Sequence, residues 1–86
     1  MQHLAYVVIP FTRNGAHLGP SQAIVFQRPQ QARLAASQIA RRVAGVAILE
    51  RQIDPETGDE QDRLVAEIGA VPPSFPETFD WSMRLN

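Results

Sequence analysis

His3 and His17 are the only side chains of this 86-residue chain with an ordinary pKa near neutrality. Each is a lone imidazole. His3 opens a strand-like segment, and His17 lies between two turn signals. No Gly-x-Ser-x-Gly elbow occurs, and no Gly-rich phosphate loop is followed by Lys. Cysteine is absent, which removes thiol nucleophiles, disulfides, iron–sulfur centres and Cys-bearing zinc sites. Two His without closely spaced carboxylates do not make a transition-metal site. His17 with Arg13 and Asn14 is the one loop cluster that could serve a small ligand or proton transfer. The plainer reading of His17 is an exposed loop residue.

The acids cluster instead. Asp54, Glu56, Asp59, Glu60 and Asp62 supply five of the nine within one short stretch. A calcium loop of the helix–loop–helix type needs oxygen ligands at positions 1, 3 and 5, Gly at 6 and Glu at 12. Counted from Asp54, Gly58 falls at 5, Asp59 at 6 and Val65 at 12, so the pattern fails. A solvated hairpin tip is expected. All eight basic residues are Arg, and net charge is −1. Bulk charge gives no attraction to nucleic acid or an anionic membrane. Arg28, Arg33, Arg41, Arg42 and Arg51 lie on or near a helix but do not share one tight patch.

These side chains must be held by a single domain, since 86 residues leave no room for two. Leu, Ile, Val and Phe supply 23 residues, enough to build a core. Residues 3–12 read as a strand apolar on both faces, with Leu4, Tyr6 and Val8 on one and Ala5, Val7, Ile9 and Phe11 on the other. Pro10 cannot donate to a ladder, so weakened pairing or a bulge is expected beside it. Residues 13–21 read as a connector and 22–26 as a second strand. Pro29 opens a helix running to Ala44, with Gly45 placed for a left-handed cap. Arg41 and Arg42 would complement its dipole. Its core stripe is Ala32, Ala35, Ala36, Ile39 and Val43. Ile39 is expected to be fully buried against Val7 or Ile9.

Residues 46–53 and 62–70 form a hairpin around Asp54-Pro55, with Gly58 at positive φ. The fold class is α+β in the order ββαββ: an antiparallel four-stranded sheet ordered 2-1-3-4, with one helix on one face. Residues 1–72 are the domain. Residues 73–86 are an aromatic, Pro-rich C-terminal tail packing on the domain or on a partner subunit. Val46, Ile48, Val65 and Val71 are expected to line the sheet face away from the helix. Leu34, opposite the helix core stripe, and the tail residues Phe75, Phe79 and Trp81 form the candidate interaction surface. Phe79 and Trp81 are expected to be mostly buried.

The run YVVIPF…LGPSQ…GV..LER..DPETGD….LVAEIGAVP resembles a group of small uncharacterised proteobacterial proteins. They share a Tyr-Val-Val-x-Pro-Phe start, an Ala-rich helix and an Asp-Pro-x-x-Gly hairpin. The resemblance spans residues 6–72, and its motifs are structural. It implies the fold and no activity. The ββαβ order is also similar to small antitoxin-type domains, without their sequence hallmarks.

The expected function is a non-enzymatic protein-interaction module that self-associates as a homodimer. The alternatives are an antitoxin-like regulator binding a partner protein or nucleic acid, and a small ligand-binding protein or enzyme using the 13–21 loop. No cofactor or metal is expected. The N-terminus lacks a positively charged segment and a long apolar one, so a cytoplasmic bacterial protein without a signal peptide is expected.

Overall fold

The computed structural model describes residues 3–73 and 75. Its elements are β1 (His3–Asn14), β2 (His17–Pro20), β3 (Ile24–Phe26), α1 (Pro29–Ile39), β4 (Gly45–Ile53) and β5 (Glu60–Gly69). They form one antiparallel sheet with α1 on one face. β1 pairs with β4 on one side and with both β2 and β3 on the other, while β5 flanks β4. The expected order is therefore seen, with its edge strand split in two.

The split lies beside Pro10. The pairs Phe11↔Pro20 and Val8↔Ile24 leave two residues of β1 facing three, Ser21 to Ala23. Pro10 has no N–H to give, and its carbonyl accepts from the Ser21 amide at 2.7 Å. A residue's N–H and C=O point to the same side of a strand. The missing donor thus faces the β2–β3 junction, and the β1–β4 ladder runs unbroken from His3↔Ile53 to Phe11↔Gly45. β2 lies inside the segment read as connector. The turn signal Asn14-Gly15 closes a tight hairpin there, with Asn14 opposite His17 and Gly15 at φ +65°.

The helix stops at Ile39 rather than Ala44. The amides of Arg41 and Arg42 donate to Gln38 and Ile39, the tighter spacing of a closing turn. Both arginines therefore lie past the helix. Ala44 already belongs to the sheet, since its amide donates to Phe11 at 3.0 Å and its carbonyl accepts from Ala70 at 2.9 Å. Gly45 is not a left-handed cap. It opens β4, where a Cβ would collide with the Ala70 carbonyl.

Two apolar clusters sandwich β1 and β4. On the helix side Val8, Val46 and Ile48 meet Ala32 and Ala36. On the far side Val7, Ile9, Phe11, Ala47 and Leu49 meet Phe75, with Leu18, Ala23, Leu64 and Val71 packed around them. This corrects the expected placement of Val46, Ile48 and Val65, which lie on the helix side; of that set only Val71 lies opposite. The pairs Val8↔Ile48 and Pro10↔Val46 fix the phase, and with a period of two one phase error reverses a whole strand. Ile39 is half-buried, and it packs on the Val8 cluster rather than on Val7 or Ile9, which point away from α1.

A bulge interrupts β5. Ile48 pairs with Ala66 and Leu49 with Leu64, so Val65 is the extra residue. Val65 and Ala66 both turn to the helix side, and Leu64 turns to the other. Beyond it, the 54–59 tip is solvated, as expected. The Asp54 carboxylate accepts from the Glu56 amide, and Gly58 holds φ +76°. No helix among the described residues is long and apolar enough to cross a membrane.

Candidate functional site

The side chains singled out from the sequence are not brought together. Arg13, Asn14 and His17 are exposed at the β1–β2 hairpin end, with Arg13 opposite Leu18. The larger clefts among the described residues are lined by other segments. Leu34 is 63% exposed on the back of α1. Phe75 is buried on the opposite face of the sheet, edge-on to Phe11. Phe79 and Trp81 lie outside the described residues. Among the described residues, no group of three or more metal-ligating side chains converges on a cation position.

A different constellation forms where α1 leaves the sheet uncovered. A helix is roughly 10 Å wide and strands lie about 4.8 Å apart, so one helix covers about two strands. α1 packs chiefly on β1, β3 and β4. Between its first turns and β5 lies a cleft of about 460 Å³, lined by Tyr6, Pro29, Arg33, Ile48, Glu50, Arg63, Leu64 and Val65. Register builds it. Phe26↔Tyr6, Tyr6↔Glu50 and Glu50↔Arg63 are successive cross-strand pairs, forming one row across the sheet on the helix side. The bulge places Val65 beside Ile48 on the apolar floor.

The polar end of the cleft is an ion pair. Arg63 Nη2 donates to Glu50 Oε1 at 3.1 Å. The Glu50 side chain is 16% exposed while that of Arg63 is largely in solvent. The carboxylate is thus fixed from below by its strand and from outside by the guanidinium. Arg33 overhangs from α1. Cleft charge sums to one net positive: two guanidiniums against one carboxylate.

A second pair lies on the other face. Arg51 Nε and Nη2 donate to the two oxygens of Asp62 at 2.9 and 3.0 Å, with Glu60 at 3.7 Å. Hydrogen bonding to Asp62 and the nearby negative charges hold the Arg51 guanidinium above its ordinary pKa, against the opposing effect of burial. This pair is structural: a planar fork on a carboxylate clasping the β4–β5 hairpin.

No sequence motif singles out Tyr6, Arg33, Glu50 and Arg63 as a site. One signal was present. Glu50-Arg51 and Asp62-Arg63 are symmetric about the Asp54-Pro55 loop, so a regular hairpin must set each acid opposite a base. The overhang of α1 had no such signal. A depression of about 640 Å³ near the end of α1 is lined by Gln38, Ile39, Arg41 and Arg42 from one stretch of chain, with no wall from the sheet.

The chain matches no protein-family model, no curated protein and no solved structure.

Proposed function

We propose that this protein is a non-enzymatic interaction module that self-associates through the β3 edge of its sheet. The observation that carries this reading is the asymmetry of the two edges. β5 is guarded: Glu60, Asp62, Arg63 and Glu67 line it, and the Val65 bulge breaks its ladder. Such charges and bulges block pairing with a second sheet. Among the described residues the opposite edge is charged only at its end, by the exposed Arg28. Ser21 to Gln27 carries no charge, and Ile24 and Val25 are 42% and 53% exposed on either side of it. Leu4, also substantially exposed, lies beyond β3 on the same side of β1.

An antiparallel two-fold pairing of this segment sets no like charges opposite one another. It gives partners to the β3 backbone groups left unpaired among the described residues, and it covers Ile24 and Val25. The shortness of β3 limits the strength of such pairing, so a concentration-dependent dimer is expected rather than an obligate one.

Light scattering after size exclusion tests this. The wild-type chain should move from 9.6 kDa toward twice that mass as concentration rises. Val25→Lys should stay at the single-chain mass with its melting temperature unchanged, because Val25 is exposed and its charge would sit on the edge. A wild-type chain that remains monomeric at every concentration, or a Val25→Lys variant that dimerises like wild type, would overturn the reading.

A further inference from the structure

The cleft between α1 and β5 has features that self-association through β3 leaves unused. Its floor is apolar, built from Ile48 and Val65 with the Tyr6 ring and Pro29 as walls. Its rim carries the guanidiniums of Arg33 and Arg63. Arg63 spends one Nη on Glu50, and its remaining donors and those of Arg33 have no protein partner among the described residues. The volume, about 460 Å³, lies in the range of small-molecule sites. Such sites join apolar contacts to polar groups that fix orientation; here the polar rim presents more of the exposed lining than the apolar floor does.

We infer that this cleft binds a compact organic carboxylate with an apolar body, its head between Arg33 and Arg63 and its body over Ile48 and Val65. The charge selects the ligand. Two guanidiniums and one carboxylate leave a single positive charge, which matches a monoanion. A phosphate dianion would bring a second negative charge beside Glu50, which the cleft does not offset. The fork of a guanidinium fits a planar carboxylate with two parallel hydrogen bonds. Glu50 acts through Arg63: it is a positioning residue, holding the guanidinium at the mouth of the cleft.

The same head chemistry could come from a free acid or from a peptide C-terminus, and the probes separate them. Wild-type protein, labelled for amide NMR, is titrated with 4-methylpentanoate, with 4-methylpentanamide, with acetate and with N-acetyl-leucine. The acid should bind at least about tenfold more tightly than its amide, as expected for charge-assisted hydrogen bonds. Acetate, a head without a body, should bind more weakly than either branched acid. Shifts should centre on Tyr6, Ile48, Glu50 and Val65. Arg33→Gln should weaken the acid about tenfold and leave the amide unchanged. Arg33 is exposed and the substitution keeps its helix propensity, so the fold is retained. Tighter binding of N-acetyl-leucine assigns the head to a peptide end, and tighter binding of 4-methylpentanoate assigns it to a free acid; both support the site. Equal affinity for acid and amide overturns it, as does an Arg33→Gln variant with unchanged acid binding, or the absence of saturable shifts with any probe at tens of millimolar. The Val25→Lys variant should bind the acid like wild type, so failure of self-association and failure of this site are read separately.

Discussion

Phe75 sets its ring edge-on against Phe11, with centroids 5.1 Å apart and planes at 81°. The contact covers part of the face of the sheet that α1 cannot reach. β1 is apolar on both sides, so one helix leaves half of it needing cover, and Phe75 with Val71 supplies part of that cover from the chain beyond β5. A short turn aims the ring, with the Phe75 amide donating to the Pro72 carbonyl at 3.0 Å.

Phe75→Ala should therefore cost about 3 kcal/mol, from lost burial and the cavity over Phe11. Phe75→Leu should recover more than half of it. Urea unfolding of the three proteins measures this. An alanine variant with the wild-type midpoint would mean that Phe75 contributes nothing to the core.

Two glycines separate strain from collision. Gly58 holds φ +76° at the tip of the β4–β5 hairpin, with open space where a Cβ would go. Gly58→Ala should cost about 1 kcal/mol, the backbone penalty alone. Gly45 has ordinary φ, but a Cβ there would overlap the Ala70 carbonyl. Gly45→Ala should cost about 3 kcal/mol or more, since backbone must move. Equal urea midpoints for the two variants would contradict this assignment.

Features set by local chemistry were legible in the sequence. Pro10 must disturb one side of its strand because it lacks a donor, and the ladder breaks beside it. Asn14-Gly15 and the Asp54–Gly58 stretch turn the chain where their residue types require. The antiparallel order followed from two hairpins and one crossover. What escaped depended on distant partners. Ala40–Ala44 has good helix propensity, yet Ala44 is claimed by Phe11 and Ala70 in the sheet. The face carrying Val46 and Ile48 rests on cross-strand register, which the unbroken apolar run Val46–Leu49 cannot reveal. The cleft depends on where α1 stops covering the sheet, and no single segment encodes that.

Ile39 and Ile48 test the corrected phase of the helix. Both belong to the helix-side cluster, but Ile39 is half-buried while Ile48 is buried. Ile39→Ala should cost about 1–2 kcal/mol and Ile48→Ala about 3 kcal/mol. A larger loss at Ile39 than at Ile48, read by urea or thermal unfolding, would restore the phase in which Ile39 lies at the centre of the core.

The Arg51–Asp62 pair makes a prediction about pH. The Arg51 side chain is 11% exposed, and both Asp62 oxygens accept from it. A well-aligned two-point pair at this burial should contribute about 1–2 kcal/mol, above the range of open surface pairs. Its titration is one-sided. Asp62 holds the guanidinium proton more tightly in the folded chain than in the unfolded one, so the folded pKa is raised. Stability from a raised pKa is fully present below the unfolded value and is lost only as pH climbs through the folded one. Both values lie far above neutrality for a guanidinium. From about pH 6 to about pH 10 the Arg51 contribution should therefore be flat. Arg51→Gln should destabilise by the same amount at both ends of that window, and Arg51→Lys should recover less than half, because an ammonium cannot span both oxygens. Urea unfolding of all three proteins at the two pH values checks this. A deficit in Arg51→Gln that disappears by pH 10 would show that a group titrating within the window, and not the guanidinium fork, sets the strength of the clasp.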